Sequence, residues 1–156
     1  MFLIEIFFKN FLSTQNRNKL MLNKKLNKKR DNMNLQNIFK VDAVIALING
    51  IGLLFATSMF VEMANLNMSD SLLVFGQFMG VTFIWLAILT WRMPSIAGDS
   101  MNSFAQMWCL AHALWFLIIG FHIVTSQVGG ATAYINIIIT GIFAILYFMK
   151  SRDKEK

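Results

Sequence analysis

The run FAQMWCLAHALWFLIIGFHIV, Phe104 to Val124, decides how this chain folds. Its 21 residues include no Asp, Glu, Lys or Arg. As an α-helix it would be about 31 Å long, the thickness of a bilayer's hydrocarbon core. Its few polar side chains are isolated, whereas a helix of a soluble bundle turns a continuous polar stripe to water. The run therefore reads as a transmembrane helix. Three more runs of the same kind are Ala43 to Val61, Leu72 to Trp91 and Ala131 to Met149, of 19, 20 and 19 residues. The whole chain is 56% hydrophobic and 14% charged, against about 25% charged in soluble domains. The expected fold is an all-α polytopic membrane protein, a four-transmembrane-helix bundle spanning residues 33–149.

The net charge of +6 raises the question of nucleic acid, and the placement of the charges answers it. Nine Lys and Arg precede the first run, Arg92 lies between the second and third, and four follow the last. All of them fall on one side of a four-span topology, which the positive-inside rule makes cytoplasmic. Charge here records topology, with both termini inside a bacterial inner membrane; the partner it implies is the lipid bilayer, not nucleic acid. Trp91, Trp108 and Tyr147 at the inner edge and Tyr134 at the outer edge are expected as interfacial anchors. Residues 150–156 form a charged cytoplasmic tail. The first 32 residues, MFLIEIFFKNFL followed by Asn- and Lys-rich text, have the apolar part before the basic one, the reverse of a signal peptide. They are expected to be a disordered extension from an over-long gene start, with Met33 as the alternative start, or else an amphipathic anchor.

Small residues give the first packing clue. In GQFMG, Gly76 and Gly80 stand four apart on one helix face, where they would let a neighbouring backbone approach closely. That face is expected to pack within the chain or, alternatively, to serve a homo-oligomer or another membrane protein. A faint repeat, IGLLFATS (51–58) against IGFHIVTS (119–126) and LAILTW (86–91) against FAILYF (143–148), suggests a doubled helical hairpin. The four-span layout with a basic inner side, NGIGLLF (49–55) and GQFMG resembles the small DoxX-like membrane proteins. That resemblance implies a four-helix fold and, for some members, quinone or redox partners.

Polar side chains inside spans are functional candidates because they are costly there. From the span limits, Asn49 and His112 lie about 9 and 12 Å from the inner edge and could meet. Gln77 and Asn136, each about 8 Å from the outer edge, could form an outer cluster with His122, about 3 Å in. His112 and His122 are ten residues apart, so they point about 80° apart and about 15 Å from one another along the axis. They cannot share a metal ion, and a haem held by histidines would have to bridge two copies. No zinc ligand set appears in the spans. Asp42, Glu62, Asp70 and Asp99 all fall at or beyond span edges, which argues against a proton-coupled transporter. Asp42 could pair with Arg92. Cys109 is the only cysteine, and the short loops hold no catalytic set; Asp99 and Ser100 read as a helix cap. Asn67-Met68-Ser69 is treated as a chance sequon. The reading is a small accessory or interaction subunit with no catalytic residues and no cofactor, working through Gly76/Gly80 and Asn49/His112. The alternative is a redox-associated or transport protein in which His112 handles a proton or binds a quinone ring beside Trp108 and Trp115.

Overall fold

The computed structural model describes residues 20–21 and 35–152. The fold below is that of the unit that begins at Leu35. The expectations for residues 1–32 and for 153–156 lie outside the described residues.

Four long helices, α1 (Leu35–Phe55), α3 (Asp70–Ile96), α4 (Met101–Val124) and α5 (Gly130–Arg152), are joined by a short helix α2 (Thr57–Glu62) and tight turns. Among the described residues there is no strand. All four long helices are long and apolar enough to cross a membrane, so the chain is a multi-pass, all-α membrane protein. Most of their large apolar side chains, Phe55, Phe78, Trp85 and Leu117 among them, point outward. Such exposure is what a bilayer, rather than water, accommodates.

The helix limits correct the hydropathy boundaries. The first helix starts eight residues before Ala43 and ends at Phe55, because Ala56 leaves the helical region at φ −132°, ψ 38°. Thr57 to Glu62 then resumes as α2, with the Thr57 hydroxyl donating back to Leu53 O. Phe60 folds onto Gly52, where a side chain would collide with its ring. The segment matched to it in the sequence, 119–126, belongs to an unbroken α4 and its exit turn, so the two halves differ locally. At the other end α3 runs on through Pro94 to Ile96. Pro94 has no N–H to give Thr90 O, so the helix forgoes one hydrogen bond in its last turns. The expected Asp99-Ser100 cap is instead a 3₁₀ turn, Gly98–Ser100, and Ser100 makes no side-chain cap bond. A true cap stands at the start of α3, where Ser69 Oγ accepts from Leu72 N at 3.2 Å and Asp70 complements the helix dipole.

Two kinds of contact hold the helices. Against α3, α1 packs backbone to backbone: a Cβ at Gly80 would lie 2.6 Å from Leu54 N and 2.9 Å from Gly50 O. Gly76 instead abuts a side chain, the Thr57 methyl of α2. The Gly76/Gly80 face is thus filled from within the chain. At the end where the start of α1, the end of α5 and the α3–α4 turn gather, large side chains meet in a closed core that includes Leu35, Phe39, Met93, Met101, Phe143 and Tyr147. Lys40, Arg92, Lys150 and Arg152 mark this basic end. Trp91, half exposed beneath the Lys40 ammonium at 5.8 Å, fits an interfacial anchor. At the opposite end, the turn after α2 is tied to the start of α5 by Gly129 N–H donating to Ala64 O (2.9 Å) and Thr132 N–H to Met63 O (3.3 Å). Gly130 has φ +71° and lies against Met63 O, so no side chain fits there.

Candidate functional site

The inward faces of the helices follow alternating spacings of three and four, the seam of a left-handed bundle. On α1 the seam runs Leu35, Phe39, Asp42, Ala46, Asn49; on α4 it runs Met101, Ala105, Trp108, His112, Trp115; on α5 it includes Asn136, Thr140, Phe143 and Tyr147. Where three of these seams converge near the basic end, three polar side chains are brought together. Asp42 Oδ2 accepts from the Tyr147 hydroxyl at 2.9 Å and from His112 Nε2 at 3.0 Å. Asp42 is 6% exposed and Tyr147 fully buried. The imidazole stacks on Phe143 and Tyr147, with centroids 5.2 and 5.7 Å away and planes within 24°. Phe39 closes the group from below, 4.9 Å from the Tyr147 ring and 5.7 Å from Trp108. Trp108 Nε1 donates to the buried Thr90 hydroxyl at 3.2 Å.

His112 Nδ1 is buried with no hydrogen-bond partner among the described residues. An unpartnered lone pair is cheaper to bury than an unpartnered N–H, which agrees with Nε2 as the protonated nitrogen. A carboxylate this far from water is tolerated because both neighbours donate to it. Removing one donor leaves the carboxylate the hydrogen bond from the other.

Beyond this cluster the helices separate around a cavity of about 560 Å³, the size of sites that enclose small organic ligands. Its walls are apolar except at a few positions: Asp42 and His112 at one end, Thr90 nearby, and Asn49, Thr132, Asn136 and Thr140 further along. Phe60, Val61, Ala64 and Leu66, from α2 and the turn after it, line its far end. From Met107 to Ile119 on α4 the cavity extends about 18 Å. Trp115, facing Phe83 at 5.9 Å between centroids, forms part of the wall. Among the described residues no three of His, Cys, Asp and Glu stand close enough to hold a metal ion together.

Several sequence expectations are revised by this geometry. His112 meets Asp42 rather than Asn49. It stands at the middle of α4, eleven residues from Met101 and twelve from Val124, level with Phe143 and Tyr147 of α5. Asn49 lies on the same face of α1 as Asp42, about 10.5 Å further along, and lines the cavity. Asp42 belongs to the His112 and Tyr147 cluster instead of pairing with Arg92, which is exposed. It also lies inside α1, about two turns from Leu35, so the argument that no carboxylate enters a span does not hold. Tyr147 is a core residue, not an interfacial anchor. The outer cluster does not form: Gln77 is exposed, Asn136 lines the cavity, and His122 Nδ1 donates to Gln127 Oε1 at 2.6 Å in the turn after α4. Cys109 Sγ donates to Ala144 O at 3.3 Å between α4 and α5. Asp42 and Tyr147 were the residues sequence reasoning missed, although both sit on the three-four seams. Set beside protein-family models, curated proteins and solved structures, the chain matches none of them.

Proposed function

We propose that this four-helix protein binds a lipid-soluble molecule of the quinone class, oxidised or reduced, with its polar ring toward Asp42 and His112 and its tail along the apolar cavity. One observation carries the reading: a buried carboxylate, imidazole and phenol stand together at the end of an elongated apolar cavity. A polar cluster used only to join helices would sit equally well in a closed core, since hydrogen bonds between helices contribute about 0.6 kcal/mol on average. An apolar pocket with a few convergent polar groups is the usual form of a small-molecule site. The protein would serve as an accessory subunit that presents the bound molecule to a membrane partner, a role that agrees with what the DoxX-like layout implies. In the proposed topology both termini are cytoplasmic in a bacterial inner membrane, supported by Lys40, Arg92, Lys150 and Arg152 sharing one end. An alkaline phosphatase fused after Met68 should then be active, and inactivity there would reverse the orientation.

The test of binding uses the purified protein in nanodiscs, titrated with a short-tailed benzoquinone while tryptophan emission is followed. Trp108 and Trp115 line the cavity, so saturable quenching with one ligand per chain is expected, weakened about tenfold in His112→Leu. Quenching that rises linearly with quinone and is the same in both proteins would show partition into lipid only and refute the reading. Proton-coupled transport is a second reading, favoured by Asp42 within α1. It requires proton flux into liposomes that Asp42→Asn abolishes.

A further inference from the structure

Resting on the binding reading above, we propose that the ring is held at two points across its width. The Asp42/His112 pair holds one side and the side-chain amides of Asn49 and Asn136 the other, so that the cavity selects a para-dihydroxy ring.

The first support is register along α1. Seven residues separate Asp42 from Asn49, which is 20° short of two full turns, so both project from one face about 10.5 Å apart. Both line the cavity. The second is register between helices. α1 and α5 run antiparallel, and Phe39 contacts Tyr147. Ten residues forward from Phe39 reach Asn49, and eleven residues back from Tyr147 reach Asn136, so the two amides stand within about one residue's rise of the same level. Among the described residues neither amide side chain has a hydrogen-bond partner, and both face a cavity with mostly apolar walls. An amide so placed loses its hydrogen bonds to water without replacement unless a ligand supplies them.

The distances then fit one class of ring. Two oxygens para to each other across a six-membered ring are about 5 Å apart, and a hydrogen bond of about 2.8 Å at each brings the span to about 11 Å. A ring with one oxygen, or two on adjacent carbons, satisfies one station and leaves the other bare. Between the stations, Ala46 occupies the seam position of α1 and Ala111 stands beside His112, both lining the cavity. Their small side chains leave room for a flat ring, and Trp115, one turn beyond His112, offers a face for it to stack on. The chemistry of the two stations differs. At the Asp42 end His112 Nε2–H is already given to the carboxylate, so that station accepts, and a ligand hydroxyl suits it better than a carbonyl. Asparagine donates and accepts, and takes the second oxygen in either form. The reduced, para-dihydroxy ring is therefore the preferred occupant.

Two probes with the same short prenyl tail test this by microcalorimetric titration of the nanodisc-embedded protein under anaerobic, reducing conditions: a para-benzohydroquinone, and the phenol that lacks its second hydroxyl. The hydroquinone is expected to bind about tenfold more tightly. In Asn49→Leu, and in Asn136→Leu, the hydroquinone should lose that advantage while the phenol is unaffected. If the two probes bind wild-type protein with equal affinity, the two-point hold is wrong while the binding reading stands. If neither probe binds saturably, both fall. The comparison in wild-type protein decides the matter even if a leucine variant does not fold.

Discussion

The two halves of this bundle are built on the same three-four seams and yet differ in what fills them. At the basic end the seams carry Leu35, Phe39, Met93, Met101, Phe143 and Tyr147, which meet in a closed core. Half a helix further on, α1 and α5 contribute Ala46, Asn49, Ala133 and Asn136, and a cavity opens. The small side chains Ala46 and Ala133 and the break in α1 at Ala56, which brings α2 to the far end, both contribute to the change. The cavity opens at its side, where Phe75 and Met107 of its wall are exposed; in lipid, where packing and hydrogen bonds hold the helices, such a gap persists beside strong neighbouring contacts. The strong contacts are on the other flank of α1, at Gly50 and Gly80, and at the basic end. Stability and binding thus occupy different parts of one short bundle.

The largest expected effect falls in the closed half. Phe39 is fully buried between Tyr147 and Trp108, and Phe39→Ala should destabilise the protein by about 3–5 kcal/mol, read from the midpoint of unfolding in detergent titrated with SDS. A cost below about 1 kcal/mol would mean that the basic end is no better packed than the cavity and would remove the contrast.

Next comes the flank of α1 turned from the cavity. Gly80→Ala places a methyl 2.6 Å from Leu54 N and 2.9 Å from Gly50 O. Backbone cannot swing aside as a side chain can, so α1 and α3 must separate. Against a gain of about 1 kcal/mol in helix propensity, the net loss should be about 2 kcal/mol, within the usual range for overpacking. The same SDS titration measures it, and a stabilised Gly80→Ala would refute the close approach.

Smaller again is Tyr147→Phe. It keeps the buried ring and deletes the hydroxyl that donates to Asp42 Oδ2. The expected loss is about 1 kcal/mol, with the fold retained by circular dichroism. An effect as large as that of Phe39→Ala would show that the polar cluster, not the apolar side chains around it, holds the basic end.

How far these features could be read from the sequence depends on what hydropathy can detect. Four helices and their common basic end were legible because every run is long, apolar and flanked by charge. The packing role of Gly76 and Gly80 was legible from their spacing. The site was legible in part: His112, Asn49 and Asn136 are polar residues within apolar runs, and all three line the cavity. Asp42 was missed because a hydropathy window ends a span at a charge, which put the start of the first helix eight residues late. That error moved every depth measured along it and matched His112 with Asn49, one seam repeat too far. Tyr147 was taken as an anchor because aromatic residues near a span edge commonly are, and only tertiary contact distinguishes a buried one. The break at Ala56 has no signal in apolarity, since residues on both sides are equally apolar.

The smallest effect on stability should come from the substitution that tests the open half most directly. Ala46 lies on the seam between Asp42 and Asn49 and borders empty space, whereas Gly80 of α3, set against Gly50 and Leu54 further along α1, borders backbone. Ala46→Leu adds three carbons in each case where the cavity has volume to receive them, so no helix need move. New contacts replace void, and stability should change by less than about 1 kcal/mol, in either direction. The added side chain would occupy the position assigned to the ring, so quinone binding should fall about tenfold or more while the unfolding midpoint stays near that of the wild type. A loss of stability equal to that of Gly80→Ala would mean that both flanks of α1 are equally tight. Unchanged binding in a stable Ala46→Leu protein would place the ring elsewhere in the cavity, because a leucine at this position and a ring between the two polar stations cannot share the same space.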